Sequence, residues 1–204
     1  MYGYSPSYYY YHPYTPRMVP PAVWSPSKVE LNRNLRSLWE QHVYWTRLTV
    51  NSIIARHPDE KATTARLLRN ATDFEAALEP LYGPIIAAKF AELLRAHLTI
   101  AAELVKALQA NNSAAAADAQ KRWFANADDI AEFLSQINPY WSKEEWRKML
   151  YEHLRLLSNE VSTRLAGNYD ENIALSDQIE PQALGMADMM TSGIVQQFPS
   201  LFTA

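Results

Sequence analysis

From residue 28 onward, apolar side chains return every three or four positions, the spacing that puts them on one face of an α-helix. Leu31, Leu35, Leu38, His42, Trp45, Thr49 and Ile53 form the first stripe, headed by the capping-box pair Ser27 and Glu30. Pro58 cannot continue it, which predicts an end near Arg56. Asp59 heads a shorter predicted helix through Leu67 and Leu68, Thr72 and Glu75 suggest a second start, and Tyr82-Gly83-Pro84 breaks the pattern. The most regular stripe comes next: Ile86, Phe90, Leu93, Leu94, His97, Ile100, Ala101, Leu104 and Leu108. Asn111, Asn112 and Ser113 supply a turn and a fresh N-cap.

The next helix carries Trp123, Ala127, Ile130, Leu134 and Ile137 up to Asn138-Pro139. Ser142 and Glu145 open another, with Trp146, Met149, Leu150, His153, Leu156, Leu157, Val161 and Leu165 inward and Gly167-Asn168 as its stop. A last helix, with a kink expected at Pro181, holds Leu175, Ile179, Met186, Met190, Ile194 and Phe198. No window alternates apolar and polar residues as a strand does. The pattern therefore predicts an all-α antiparallel bundle: four long principal helices, one additional long helix and a short-helix excursion at 59–82.

Residues 1–27 obey other rules. They hold Tyr2, Tyr4, Tyr8, Tyr9, Tyr10, Tyr11 and Tyr14, and prolines at 6, 13, 16, 20, 21 and 26, which favour extended chain over helix. The chain thus divides into a Tyr/Pro-rich extended tail, 1–27, and a helical domain, 28–204. Tyr8, Tyr9, Tyr10, Tyr11 and Tyr14 are candidates for docking on another subunit by aromatic burial, and such segments also cross-link under oxidation.

Composition narrows the function classes. With 204 residues, 48% hydrophobic and 20% charged, the chain is long enough for a sizeable core. The absence of cysteine excludes disulfides, thiolate metal sites and cysteine nucleophiles. Net charge is −3, but residues 1–29 carry Arg17 and Lys28 and no acid, so the remainder carries −5. No helix has a basic stripe, so nucleic acid is not an expected partner. Five scattered glycines cannot build a phosphate-cradling loop. Charged residues interrupt every apolar run, so no membrane span is expected, and the start lacks the basic and apolar regions of a secretory signal.

Three histidines are the candidate chemistry. His42, His97 and His153 each lie mid-helix on an apolar face, and helix midpoints of an antiparallel bundle meet at one level. Neutral imidazole suits Zn, Cu, Fe or Ni, so the three form a candidate metal layer, with Glu103, Asp128, Glu152 or Glu160 as a completing carboxylate. Haem is a second cofactor that bundle histidines hold. The plainer reading gives each imidazole a hydrogen-bonding neighbour and no ligand. Glu-x-x-His and His-Glu-x-x-His are both absent, which argues against a di-iron oxidase and a zincin protease. No Gly-x-Ser-x-Gly marks a hydrolase, and no catalytic residue is assigned. Trp39, Trp45, Trp123 and Trp146 read as core fillers or as the walls of a ligand pocket. Asn126 and Asp128 flank the stripe of the Trp123 helix, near enough to join a histidine network.

The segments Leu38-Trp-Glu-Gln-His-Val-Tyr-Trp-Thr-Arg47, Trp123-Phe-Ala-Asn-Ala-Asp128, Asn138-Pro-Tyr-Trp141 and Leu150-Tyr-Glu-His-Leu154 resemble a family of small helical proteins from spore-forming Gram-positive bacteria, over roughly residues 35–200. Some members carry an acetylglutamate kinase label. That kinase is α/β with glycine-rich nucleotide loops, features this sequence lacks. The Tyr-rich start is similar to the tails of spore-coat proteins. The missing secretory signal favours a cytoplasmic location, and the likeness of the tail a spore-associated one. Taken together, the leading expectation is a non-enzymatic structural or binding bundle that forms a homo-oligomer, its tail making intersubunit contacts. The alternative is a metal- or haem-binding bundle of redox or oxygen-handling type.

Overall fold

The computed structural model describes residues 24–203; the tail tyrosines Tyr8, Tyr9, Tyr10, Tyr11 and Tyr14 lie outside them. The described residues form six α-helices in an all-α bundle: α1 (Pro26–Ala55), α2 (Glu60–Tyr82), α3 (Pro84–Gln109), α4 (Ser113–Ile137), α5 (Lys143–Leu165) and α6 (Tyr169–Gln197), with a 3-10 turn, Pro199–Phe202, after the last. None is long and apolar enough to cross a membrane.

Local chemistry sets the ends. α1 is capped by Ser25, not Ser27: the Ser25 hydroxyl accepts from the Lys28 N–H and donates to the Phe202 carbonyl at 2.9 Å. One side chain thus closes the first helix and ties it to the chain's last turn. Arg56 ends α1 in the left-handed conformation, and Asn112 and Ser142 cap α4 and α5 as expected. The segment 59–82 differs from expectation. It is one helix of 23 residues, because Thr63, Leu67, Ala71, Phe74 and Leu78 make an unbroken buried stripe. Thr72 caps nothing, and its hydroxyl accepts from Arg95 on α3. α6 likewise runs through Pro181, whose exposed position leaves its missing N–H on the solvent side.

Each helix packs on its neighbours in chain order, and α6 returns to α1, so the six close into a ring. α1 also touches α3 and α5 across the axis. Successive helices are joined by turns of a few residues and run antiparallel, leaving α1, α3 and α5 mutually parallel.

The ring is built from one hairpin used three times. His42, His97 and His153 stand 55 and 56 residues apart, on the first helix of each hairpin. Seven residues before them lie Leu35, Phe90 and Trp146; eight after lie Val50, Val105 and Val161, and all six are buried. The second helices keep a period of 56. Ala71, Ala127 and Ala183 are each fully buried, and Phe74, Ile130 and Met186 come at the same offset, as do Leu78, Leu134 and Met190. Equivalent positions fill one central core with residues of different size, which breaks the symmetry without opening large voids.

Gly193 is the one glycine of the described residues packed directly against another side chain. A Cβ there would overlap the indole of Trp141, which donates to the Met189 carbonyl at 3.1 Å. Gly193→Ala is expected to lower stability by about 1–3 kcal/mol, as overpacking does, measured by urea unfolding.

Candidate functional site

The three histidines form a single buried layer across the bundle, each no more than 3% exposed. The His42 and His153 rings lie 5.5 Å apart between centroids, and His97 faces Trp123 at 5.3 Å. Each imidazole meets one amide from the second helix of its own hairpin. His42 Nδ1 contacts Asn70 Oδ1 at 3.3 Å, His97 Nδ1 contacts Asn126 Oδ1 at 2.9 Å, and His153 Nδ1 contacts Gln182 Oε1 at 2.8 Å. The NH2 of each amide donates to the backbone carbonyl four residues before the histidine: Asn70 to Leu38, Asn126 to Leu93, Gln182 to Met149.

That second bond decides the proton. An amide whose NH2 is committed to a carbonyl presents only its oxygen to the ring, so Nδ1 must carry the hydrogen. All three rings are therefore held as the neutral Nδ1–H tautomer, with the Nε2 lone pair free for another partner. His97 has one, because Trp123 donates its indole N–H to Nε2 at 3.2 Å. The positions equivalent to Trp123 are Leu67 and Ile179, which have no N–H to offer. His153 Nε2 is buried without a hydrogen bond, and among the described residues none reaches His42 Nε2.

Small cavities flank the layer. One, with room of about 20 Å³ for a water-sized guest, runs from the three histidines past Thr46, Thr49 and Val50 toward Ile53, Leu108 and Val161. The other, about 10 Å³, lies toward Trp39, Phe90 and Trp146. Thr46 Oγ1 and Thr49 Oγ1 in the first, and Trp146 Nε1 in the second, also lack partners. These volumes hold about one water molecule. They fall far below the roughly 300–1,000 Å³ of cofactor-sized pockets, so a haem does not fit this core.

Comparison with family models, curated proteins and solved structures finds no match. The chemistry of the layer therefore rests on its own geometry. Among the described residues, no group of three or more His, Asp or Glu side chains is arranged to hold a metal ion. The carboxylates expected to complete such a site lie elsewhere. Glu103 is exposed and paired with Arg122, Asp128 binds Arg147 and Tyr151, and Glu152 binds Arg155. Glu160 is 4% exposed but engages Arg47, Ser176 and the α5–α6 end of the bundle. Of the pair on α4, Asn126 joins the histidine network and Asp128 does not. The tryptophans are mainly core: Trp39 donates to Met190 Sδ, Trp123 to His97, and Trp45 is half-buried beneath Arg66.

Asn70 and Gln182 were not among the candidates that hydropathy spacing singled out. The signal lies in their intervals of 28 and 29 residues from His42 and His153, which the 29 between His97 and Asn126 repeats. Truncating one bridge should strand a ring N–H and loosen a helix pair. Asn126→Ala is expected to cost about 1–3 kcal/mol in urea unfolding, against less than about 0.5 for Gln178→Ala on the exposed face.

Burial keeps the rings uncharged. It lowers the affinity of all three for a proton, repulsion from neighbouring imidazoles adds to this at His42 and His97, and the amide oxygens offset only part. For His97 the pKa falls from 6.5 to about 3. A depressed folded-state pKa means the unfolded chain binds protons first, so stability falls as pH drops below 6.5 and the loss is complete near pH 3. For His97 alone this is on the order of 5 kcal/mol. Burial raises the Glu160 pKa, so protonation there favours the folded state and opposes the trend just above pH 4.5. Acid titration of unfolding by circular dichroism should show destabilisation beginning below about pH 6.5, shallower in a His97→Phe variant.

Proposed function

We propose that this protein is a non-enzymatic structural or binding bundle that self-associates, its Tyr-rich N-terminal segment seating on the α1/α6 seam of a second copy. The observation that carries the reading is where recognition surface is available. The buried polar layer has amide partners for every Nδ1 and room for about one water, which leaves no place for an organic substrate. The outer face of the seam is different. It carries one groove of about 590 Å³ beside Trp24, Lys28 and Asn32, and another of about 460 Å³ between Tyr44 on α1 and Ile173 on α6. Trp24 at the first groove is 50% exposed, and Tyr44 and Ile173 at the second are 58% and 52% exposed.

Trp24, the first described residue, stands at the mouth of the first groove. Twenty-three residues precede it, enough to span roughly 75 Å when extended. α1 is about 45 Å long, so the segment is long enough to reach a neighbouring copy. Charge favours the pairing. Residues 1–23 carry Arg17 and no acid, whereas Glu40, Asp177 and Glu180 outnumber Arg47, itself paired with Glu160, along the second groove. A place in a spore-associated layer is consistent with the tyrosine content.

Deleting residues 1–23 should abolish self-association measured by light scattering at matched concentration. Tyr44→Lys combined with Ile173→Lys should weaken it at least tenfold while leaving the helical signal intact. Unchanged assembly after the deletion would remove the segment from the interface.

A further inference from the structure

The threefold repeat leaves one interior feature unexplained by packing. Of the three equivalent Nε2 atoms, that of His153 is buried with no donor, that of His97 is satisfied by Trp123, and His42 makes its one side-chain hydrogen bond among the described residues through Nδ1. A buried acceptor left empty destabilises the fold, and the same cavity adds the two unpartnered hydroxyls of Thr46 and Thr49. His42 and His153, whose rings are 5.5 Å apart, and the two threonines thus border a space of single-atom scale, with the already bonded His97 and Ser158 completing its polar lining.

We infer that His42 Nε2 and His153 Nε2 form a two-imidazole site for one monovalent transition-metal ion of the copper(I) class. The donor chemistry selects it. Imidazole nitrogen binds copper well, and no carboxylate or thiolate lines the cavity to balance a dication. Transfer of an ion into an apolar interior costs in proportion to the square of its charge, so a monocation is about fourfold less penalised than Zn(II) or Cu(II). A monovalent d10 ion is also content with two nitrogen donors. The amides complete the design: each holds its ring's Nδ1–H and so points a fixed, deprotonated Nε2 at the guest, as outer-shell partners of metal-bound histidines do. His97, whose Nε2 takes the Trp123 N–H, is a bystander to the site and not a third ligand. This inference is independent of the assembly proposed for the seam.

The test is an oxygen-free titration of the full metal-free chain with copper(I) held by a chromogenic competing chelator, and then X-ray absorption at the copper edge. One equivalent should leave the chelator, with two nitrogen neighbours in the spectrum. His153→Phe should lower the affinity at least a hundredfold, and His57→Ala, on the exposed α1–α2 turn, should not change it. Trp123→Phe frees the third Nε2 and should raise the coordination from two nitrogens to three. That arm and the wild-type spectrum decide the matter should His153→Phe fail to fold. No copper withdrawn, meaning a cavity that holds water only, or binding unaltered in a folded His153→Phe, would overturn the assignment, as would sulfur or oxygen neighbours in place of nitrogen.

Discussion

Every hairpin of this bundle is held at mid-height by the same polar bridge: an amide on one helix that donates to a carbonyl and accepts from an imidazole on the other. The bridge joins backbone to side chain, so it sets rotation and height together. A slide of one residue along either helix would move the amide by about 1.5 Å and turn it by about 100°, breaking both bonds at once. Apolar contacts alone tolerate such slips, because one leucine replaces another with little loss. Buried polar groups do not, since an unmade bond in a low dielectric is costly. Used three times at one level, the bridge registers six helices against a common plane.

The same layer sets the chemical character of the interior. Three imidazoles close together cannot all be charged, and burial makes even one charge expensive. The amides resolve this by accepting from Nδ1–H and fixing the neutral tautomer. The number of unmet acceptors then turns on a single departure from the repeat. Trp123 occupies a position that is leucine or isoleucine in the other hairpins, and its indole N–H neutralises the demand of only one ring. The remaining lone pairs are a consequence of near-symmetry: the hairpins agree on what is buried and disagree on what satisfies it.

Closure of the ring shapes the outside. α1 and α6 meet with Asn32 and Arg36 bound to Asp188, and with Ser25 bound to the final turn. Other antiparallel pairs of the ring are joined by short turns, but this one brings together the first and last helices. Two grooves lie along it, one beside the exposed Trp24 and one beside the exposed Tyr44.

Much of this was legible in the residue pattern. Period-3.6 stripes, proline and glycine stops and the caps at Asn112 and Ser142 determined an all-α bundle and placed three histidines on buried faces, because burial and helical geometry are local consequences of residue type. The continuity of α2 was less legible, since Thr72 has the chemistry of a cap and only its contact with Arg95 gives it another use. The carboxylate partners were misplaced for a similar reason: Glu103, Asp128 and Glu152 lie near the histidine helices in sequence, yet rotation about the helix axis carries them to arginines at the surface. Tertiary structure alone decided which amide meets which ring, which tautomer results and which lone pairs stay empty. Those outcomes depend on angles and heights between helices, quantities that one strand of sequence encodes only through its partners.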